Sequence, residues 1–268
     1  YNVALGAVVE IPIAAENDDV EQQTDGMYFD SSDLELIYDN DVTNPDDLQV
    51  VGIRFVDVGI PSGATIVSAS VRFVADDVDD DEHIGDAYVI IEGELSPNAG
   101  AFEDTADNVS ARARTAAQAA WGPVHWSEKG ANYETSGIAD IIQEIVNQDD
   151  WAAGNALVLI FSQDPDNPST GVAEAEAGVG DDSALLHVEF DNFRAYQPVP
   201  ADGAVDVAID VNESTLEWTA GDTAVTHKVY LSTDETIDES DLVGETKLTS
   251  IAVDLALGTT YYWRVDEV

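Results

Sequence analysis

Cysteine is absent from the 268 residues. That excludes a disulfide framework, a thiolate metal site and a cysteine nucleophile. Positive charge is scarce: nine Lys and Arg stand against 55 Asp and Glu, for a formal net charge of −46 and an isoelectric point near 4.1. Phosphates and anionic lipid surfaces need Lys and Arg, so nucleic acid is not expected as a partner, and divalent cations are the natural ones. No run reaches the roughly 18 apolar residues of a membrane span, so direct membrane insertion is not expected. The start at Tyr1 lacks the basic and apolar regions of a signal peptide and reads as a mature or excised segment.

Catalytic signatures are missing too. His83, His125, His187 and His227 show neither HExxH nor an i, i+4 spacing. GxSxG, phosphate-loop and GxGxxG patterns are absent. Among 55 acids a carboxylate pair at glycosidase separation arises by chance. The chain therefore reads as a non-enzyme.

What is present is enough to fold. Hydrophobic residues make up 44% of the chain, which supports a core despite the charge. Up to residue 195 there are 40 acids and 6 bases, and beyond it 15 and 3, so the acidity is spread evenly. An even spread reads as a solvated surface suited to saline or calcium-rich surroundings, with stability that falls at low ionic strength.

Hydrophobic spacing is mostly period-two. VVEIPIAA (8–15), LELIY (34–38), QVVGIRFVDV (49–58), VSASVRFVA (67–75), AYVIIEGEL (87–95), NALVLIFS (155–162) and ALLHVEF (184–190) predict strands of a sandwich. In SGIADIIQEIVNQ, the apolar residues Ile138, Ile141, Ile142, Ile145 and Val146 fall on one helical face, with Ser136 as the expected N-cap. Residues 96–135 are weakly periodic and predict long loops with short strands. Prolines in AYQPVPADGA (195–204) mark a boundary between a first module over 1–194 and a second over 195–268. STLEWTA, VTHKVYLST, TSIAVDL and TTYYWRVDEV supply the second module's strands.

ESTLEW, HKVYLSTD and LALGTTYYWRV resemble a fibronectin type III module over 198–268, with Leu255, Gly258, Thr259 and Tyr261 at that family's characteristic positions. The resemblance implies a seven-stranded sandwich that here stops before its last strand, so continuation past Val268 or an incoming segment is expected at that edge. NDDVEQQTDGMYFDSSDLELIYD, VVGIRFVDVGIPSGATIVSASVRFVAD, IEGEL, SARART, IADIIQEIVN, GNALVLIF and AEAEAG with LLHVEF are similar to a bacterial extracellular jelly-roll family. That family is related to disaggregatase-type repeats and carbohydrate-binding modules, and the similarity covers about 8–190. It implies an all-β fold of two β-sandwich modules, the first jelly-roll-like with one inserted helix. The family's acidic pairs fall at Asp18, Asp19 and Glu21, and at Asp76 and Asp77.

Calcium is the leading cofactor, because hard cations take six to eight oxygen ligands and Asp-rich loops between strands supply them. Neither the acidic run after Asp77 nor DPDNPSTGVAEA (164–175) fits an EF-hand, so ligands must come from segments distant in sequence. One expected group combines Asp18, Asp19 and Glu21 with Asp33 and Glu35. The other joins Asp76 and Asp77 to Glu174 and Glu176. Residues 79–82 read as a loop tip neutralised by water, counterions or a calcium bridge. Arg54 and Arg72, on strands that look adjacent, and Arg112 and Arg114, two apart, are expected to clamp carboxylates within the fold. Trp121, Trp126 and Tyr133 are the ligand-binding residues to consider, as a sugar-stacking face or as packing for the helix. NVS at 108 and NES at 212 match the glycosylation acceptor.

These observations converge on an extracellular or cell-surface, calcium-stabilised binding or adhesion module directed at a polysaccharide or another surface protein. The alternative is a structural subunit that self-assembles into a filament, sheath or surface layer through calcium bridges and strand exchange.

Overall fold

The computed structural model describes residues 7–29, 31–39, 41–78, 85–191, 194–208, 214–221 and 224–268. The 79–82 tip, His83, the NES acceptor Asn212 and most of the N-terminal YNVALGA segment lie outside them. The chain forms two compact units, one over Val8–Phe190 and one built on Asp191–Val268. The fold is an all-β sandwich with several antiparallel sheets.

The first unit opens with β1 (Ala7–Pro12), β2 (Asp19–Gln22), β3 (Met27–Tyr28), β4 (Asp33–Leu36) and β5 (Val50–Val58). It continues with β6 (Thr65–Asp77), β7 (Ala87–Glu94), β8 (Arg114–Val124), β9 (Asn132–Glu134) and the helix α1 (Ala139–Val146). β10 (Asn155–Gln163), β11 (Ala173–Glu176) and β12 (Leu185–Asp191) complete it. One sheet has the order β1-β12-β6-β11-β4, with β9 also on β6, and the other runs β3-β2-β5-β10-β7-β8. Alternation drives this: Val51, Ile53 and Phe55, Val71 and Phe73, Val89 and Ile91 are all fully buried. β10 is buried without a break from Ala156 to Phe161, because Val158 and Ile160 pack into a second cluster with Val20, Ala99, Phe102 and Val109.

The helix is shorter at its start than its sequence predicts. Ile138 occupies the N-cap without a side-chain bond, and Ser136 Oγ is buried with no hydrogen-bond partner. Tertiary contacts replace the cap. Glu144 accepts from the backbone of Ala116 and Ala117 at 2.9 and 2.8 Å, and Gln143 accepts from Ile66 N at 2.9 Å and donates to Ala64 O at 3.1 Å. Close approach to β7 needs Gly93, where an added Cβ would lie 2.7 Å from Ile145 Cδ1.

The second unit holds β13 (Tyr196–Val199), β14 (Ser214–Thr219), β15 (His227–Ser232), β16 (Leu242–Thr246), β17 (Ser250–Val253) and β18 (Tyr262–Glu267). They form two three-stranded sheets, β13-β14-β17 and β16-β15-β18. Leu216, Trp218, Val229 and Val253 are its core, while Leu231, Trp263 and Val265 stay partly exposed against it. A Glu267 carboxylate paired with His227 closes one end of β15 and β18, and it also accepts from Gly221 N at 3.0 Å.

Candidate metal centre

The first unit gathers carboxylates where β4 meets β2 and β11. β11 pairs with β4 in a register that places Glu174 opposite Glu35 and Glu176 opposite Asp33. On its other side Glu174 faces Asp77 of β6. Like charges directly opposite each other destabilise a sheet, so a cation or a proton shared by these carboxylates eases the repulsion. Carboxylate oxygens of Asp33, Glu35 and Glu174 all lie within 4.8 Å of one another. Oxygen-only donors at this spacing suit a hard divalent cation.

Glu21 reaches the group from β2. Only 3% exposed, its Oε1 accepts from Glu35 N at 2.7 Å and from Gln49 Nε2 at 2.9 Å. Gln49 also donates to Glu35 O at 2.6 Å, so together the two side chains satisfy the edge of β4. Burial pushes the Glu35 carboxyl up to about 10, reinforced by its hydrogen bond to Glu21 and by the charges of Glu21, Asp33 and Asp39. Burial also raises Glu21. Without a cation, a proton shared between these carboxyls relieves the repulsion.

Neighbouring acids have other partners. Asp18 is held by Arg54 at 2.8 Å, and Arg54 also donates to Ala99 O at 3.1 Å. Asp19 accepts from Gly178 N at 2.7 Å, and burial pushes its carboxyl up to about 6. Asp76 lies 3.4 Å from Lys129 Nζ. Glu176 is raised, first by burial and then by the Asp76 charge. The structure thus brings together Asp33 and Glu35 from one expected group with Glu174 from the other, and it puts Asp77 across the strand from Glu174. Arg54 on β5 and Arg72 on β6 fall in different sheets, and Arg72 Nε is buried without a hydrogen-bond partner. Arg112 and Arg114 pair with Glu94 at 2.5 Å and Glu92 at 3.2 Å.

No protein-family model and no curated protein matches the chain. Among solved structures, the glycoside hydrolase domain of Endo-D from Streptococcus pneumoniae R6 aligns at 11% identity with a TM-score of 0.19. The alignment covers 98% of this chain and 44% of that one. At that score the likeness carries no argument about activity.

Trp121, Trp126 and Tyr133 form one stack. Trp126 is 6% exposed and lies parallel to Tyr133 at 5.1 Å, while Trp121 stacks on Phe73 at 5.8 Å. Tyr133 Oη accepts from Ser127 N and Glu128 N, which fixes the turn beside Trp126. Their ring faces meet one another and Phe73, which itself packs edge-on to Phe161. Two features had no sequence signal. Gln49 is one buried amide in a polar run, and a cavity of about 350 Å³ is lined by Met27, Tyr28, Phe29, Ser31 and Asp104.

Proposed function

We propose that the first unit is a non-catalytic, calcium-stabilised binding or adhesion module of an extracellular protein. The reading is carried by Asp33, Glu35 and Glu174, three half-buried carboxylates brought within 4.8 Å by strands far apart in sequence. A calcium ion there would replace the proton on Glu35, bridge the facing Glu35 and Glu174, and tie β4 to β11. The evenly spread acidity of the whole chain, with a formal net charge of −46, supports calcium-rich or saline surroundings. The test is a thermal melt in 1 M NaCl with and without a chelator. A fall in Tm on chelation supports the reading, and identical melts refute it, because salt alone then supplies all the screening.

A further inference from the structure

We propose that the cavity between β3 and the loop carrying Asp104 binds a protonated hexosamine unit of a cationic polysaccharide. This deepens the binding-module reading above and rests on it.

The cavity is built on a rigid base. Met27 and Phe29 on one wall pack against the buried cluster of Val20, Ala99, Phe102, Val109, Val158 and Ile160. Phe102, two residues before the lining residue Asp104, belongs to that cluster. Phe102 lies over Gly52, where an added Cβ would fall 2.7 Å from its ring. Gln22 accepts from Val109 N and Ser110 N at 2.8 and 3.0 Å, which holds the loop to β2. Arg112 sits 4.5 Å over the Phe102 ring and donates to the carbonyls of Gly100, Ala101 and Asn108. The base of the cavity and the loop that carries Asp104 are therefore held before any ligand arrives.

Charge selects the class of ligand. Residues 1–53 contain 13 acids and no Lys or Arg. Arg112, the cation that organises the loop, is committed to Glu94 at 2.5 Å. Tyr28 is 41% exposed and donates to Asp25 at 3.0 Å. That bond, some burial and the charges of Asp25 and Asp39 raise its phenol, so the cavity mouth lies in a negative field. Anions are repelled and a cation is drawn in.

Shape and chemistry then narrow it. About 350 Å³ is at the lower end of small-ligand pockets, room for a ring more than for an alkylammonium tip. Tyr28 and Phe29 supply aromatic surface for an apolar ring face and for a nearby ammonium. The Asp104 carboxylate accepts from that ammonium, and the Ser31 hydroxyl is available to a sugar hydroxyl. Ser31 is followed by Ser32, whose Oγ donates to Asp33 at 2.8 Å, so the cavity loop adjoins the candidate metal centre.

The test titrates the full chain, with calcium in excess, against glucosamine, N-acetylglucosamine, glucose and Nα-acetyl-lysine amide. A chitosan hexasaccharide serves as the multivalent probe. We expect glucosamine to bind at least tenfold more tightly than N-acetylglucosamine or glucose, and to weaken severalfold between 0.15 and 1 M NaCl. Asp104→Asn, at an exposed position, should lose at least tenfold in affinity with an unchanged Tm. Equal affinity for glucosamine and N-acetylglucosamine, full retention in Asp104→Asn, or no binding of the hexasaccharide would each overturn the proposal. So would lysine amide matching glucosamine, because the site would then read an ammonium without its sugar. If chelation lowers Tm while no sugar binds, the calcium reading stands and this one falls. If glucosamine binds and chelation changes nothing, the reverse holds.

Discussion

Asp18 and Glu21 lie three residues apart, and their carboxylates are stabilised in opposite ways. Asp18 has a cation from the fold itself, Arg54 at 2.8 Å. Glu21 has the Glu35 backbone, the Gln49 amide and a second carboxyl, and both carboxyls are pushed upward. In a chain with nine bases for 55 acids, most buried carboxylates cannot be given an Arg. Where one is provided the site is closed. Where it is not, a proton or an imported metal must do the same work, and the stability of that region becomes conditional on the solvent.

Breaking the closed side gives the largest expected effect. Arg54→Ala leaves Asp18 buried and uncompensated, and should lower the unfolding free energy by about 3–5 kcal/mol in urea denaturation. Asp18→Ala in the same chain should recover part of that loss, since the two residues act as a pair. A loss below about 1 kcal/mol for the single variant would show that solvent already reaches Asp18. The conditional side comes next. With calcium at a hundred times its Kd, chelation should remove about 2.7 kcal/mol, and Glu174→Gln should erase the difference between the two melts.

Much of the fold was legible in the sequence, and the grouping of the acids was not. Period-two runs marked β5, β6, β7 and β12, because each carries large apolar residues toward one face, and the continuous apolar run of β10 marked a strand buried on both. β8 was missed. Its RTAAQAAWGPV is rich in Ala, Gly and Pro, poor strand formers, and it is a strand because β7 offers it an edge while Glu144 satisfies Ala116 and Ala117. Each acid of the centre could be named from its cluster. Which acids meet depends on β11 lying between β4 and β6, a non-local order that no local pattern encodes. The pairing of Asp18 with Arg54 was hidden for the same reason. β2 and β5 are neighbours in one sheet, so Arg54 faces Asp18 while Arg72 goes to the other sheet.

Acidity sharpens the comparison further. Asp19 is raised from 3.8 to about 6, and Glu35 from 4.5 to about 10. Between each pair of values the folded chain holds a proton that the unfolded chain has released, so stability is greatest at low pH and declines as pH rises. For calcium-free protein each such proton contributes a slope of up to about 1.4 kcal/mol per pH unit. Asp19→Asn should flatten the fall between about pH 4 and 6, and Glu35→Gln the part that continues above it. General repulsion among the remaining acids also falls with protonation, so the variants' difference from the parent is the quantity to read. Unchanged slopes in both variants would mean that these two groups hold no proton in the fold.

The smallest effect belongs to an exposed pair of the second unit. Arg264 lies 2.8 Å from Asp266 and 4.6 Å over the Tyr230 ring, and both charged side chains are 42% exposed. Solvent screens such a pair and ordering two side chains offsets its attraction, so Arg264→Ala should cost about 0–1 kcal/mol. The ion-pair share should vanish in 1 M NaCl, while the contact with the buried Tyr230 ring persists. A loss as large as that of Arg54→Ala would break the comparison, because it would mean that distance, and not burial, decides what a base contributes in this chain.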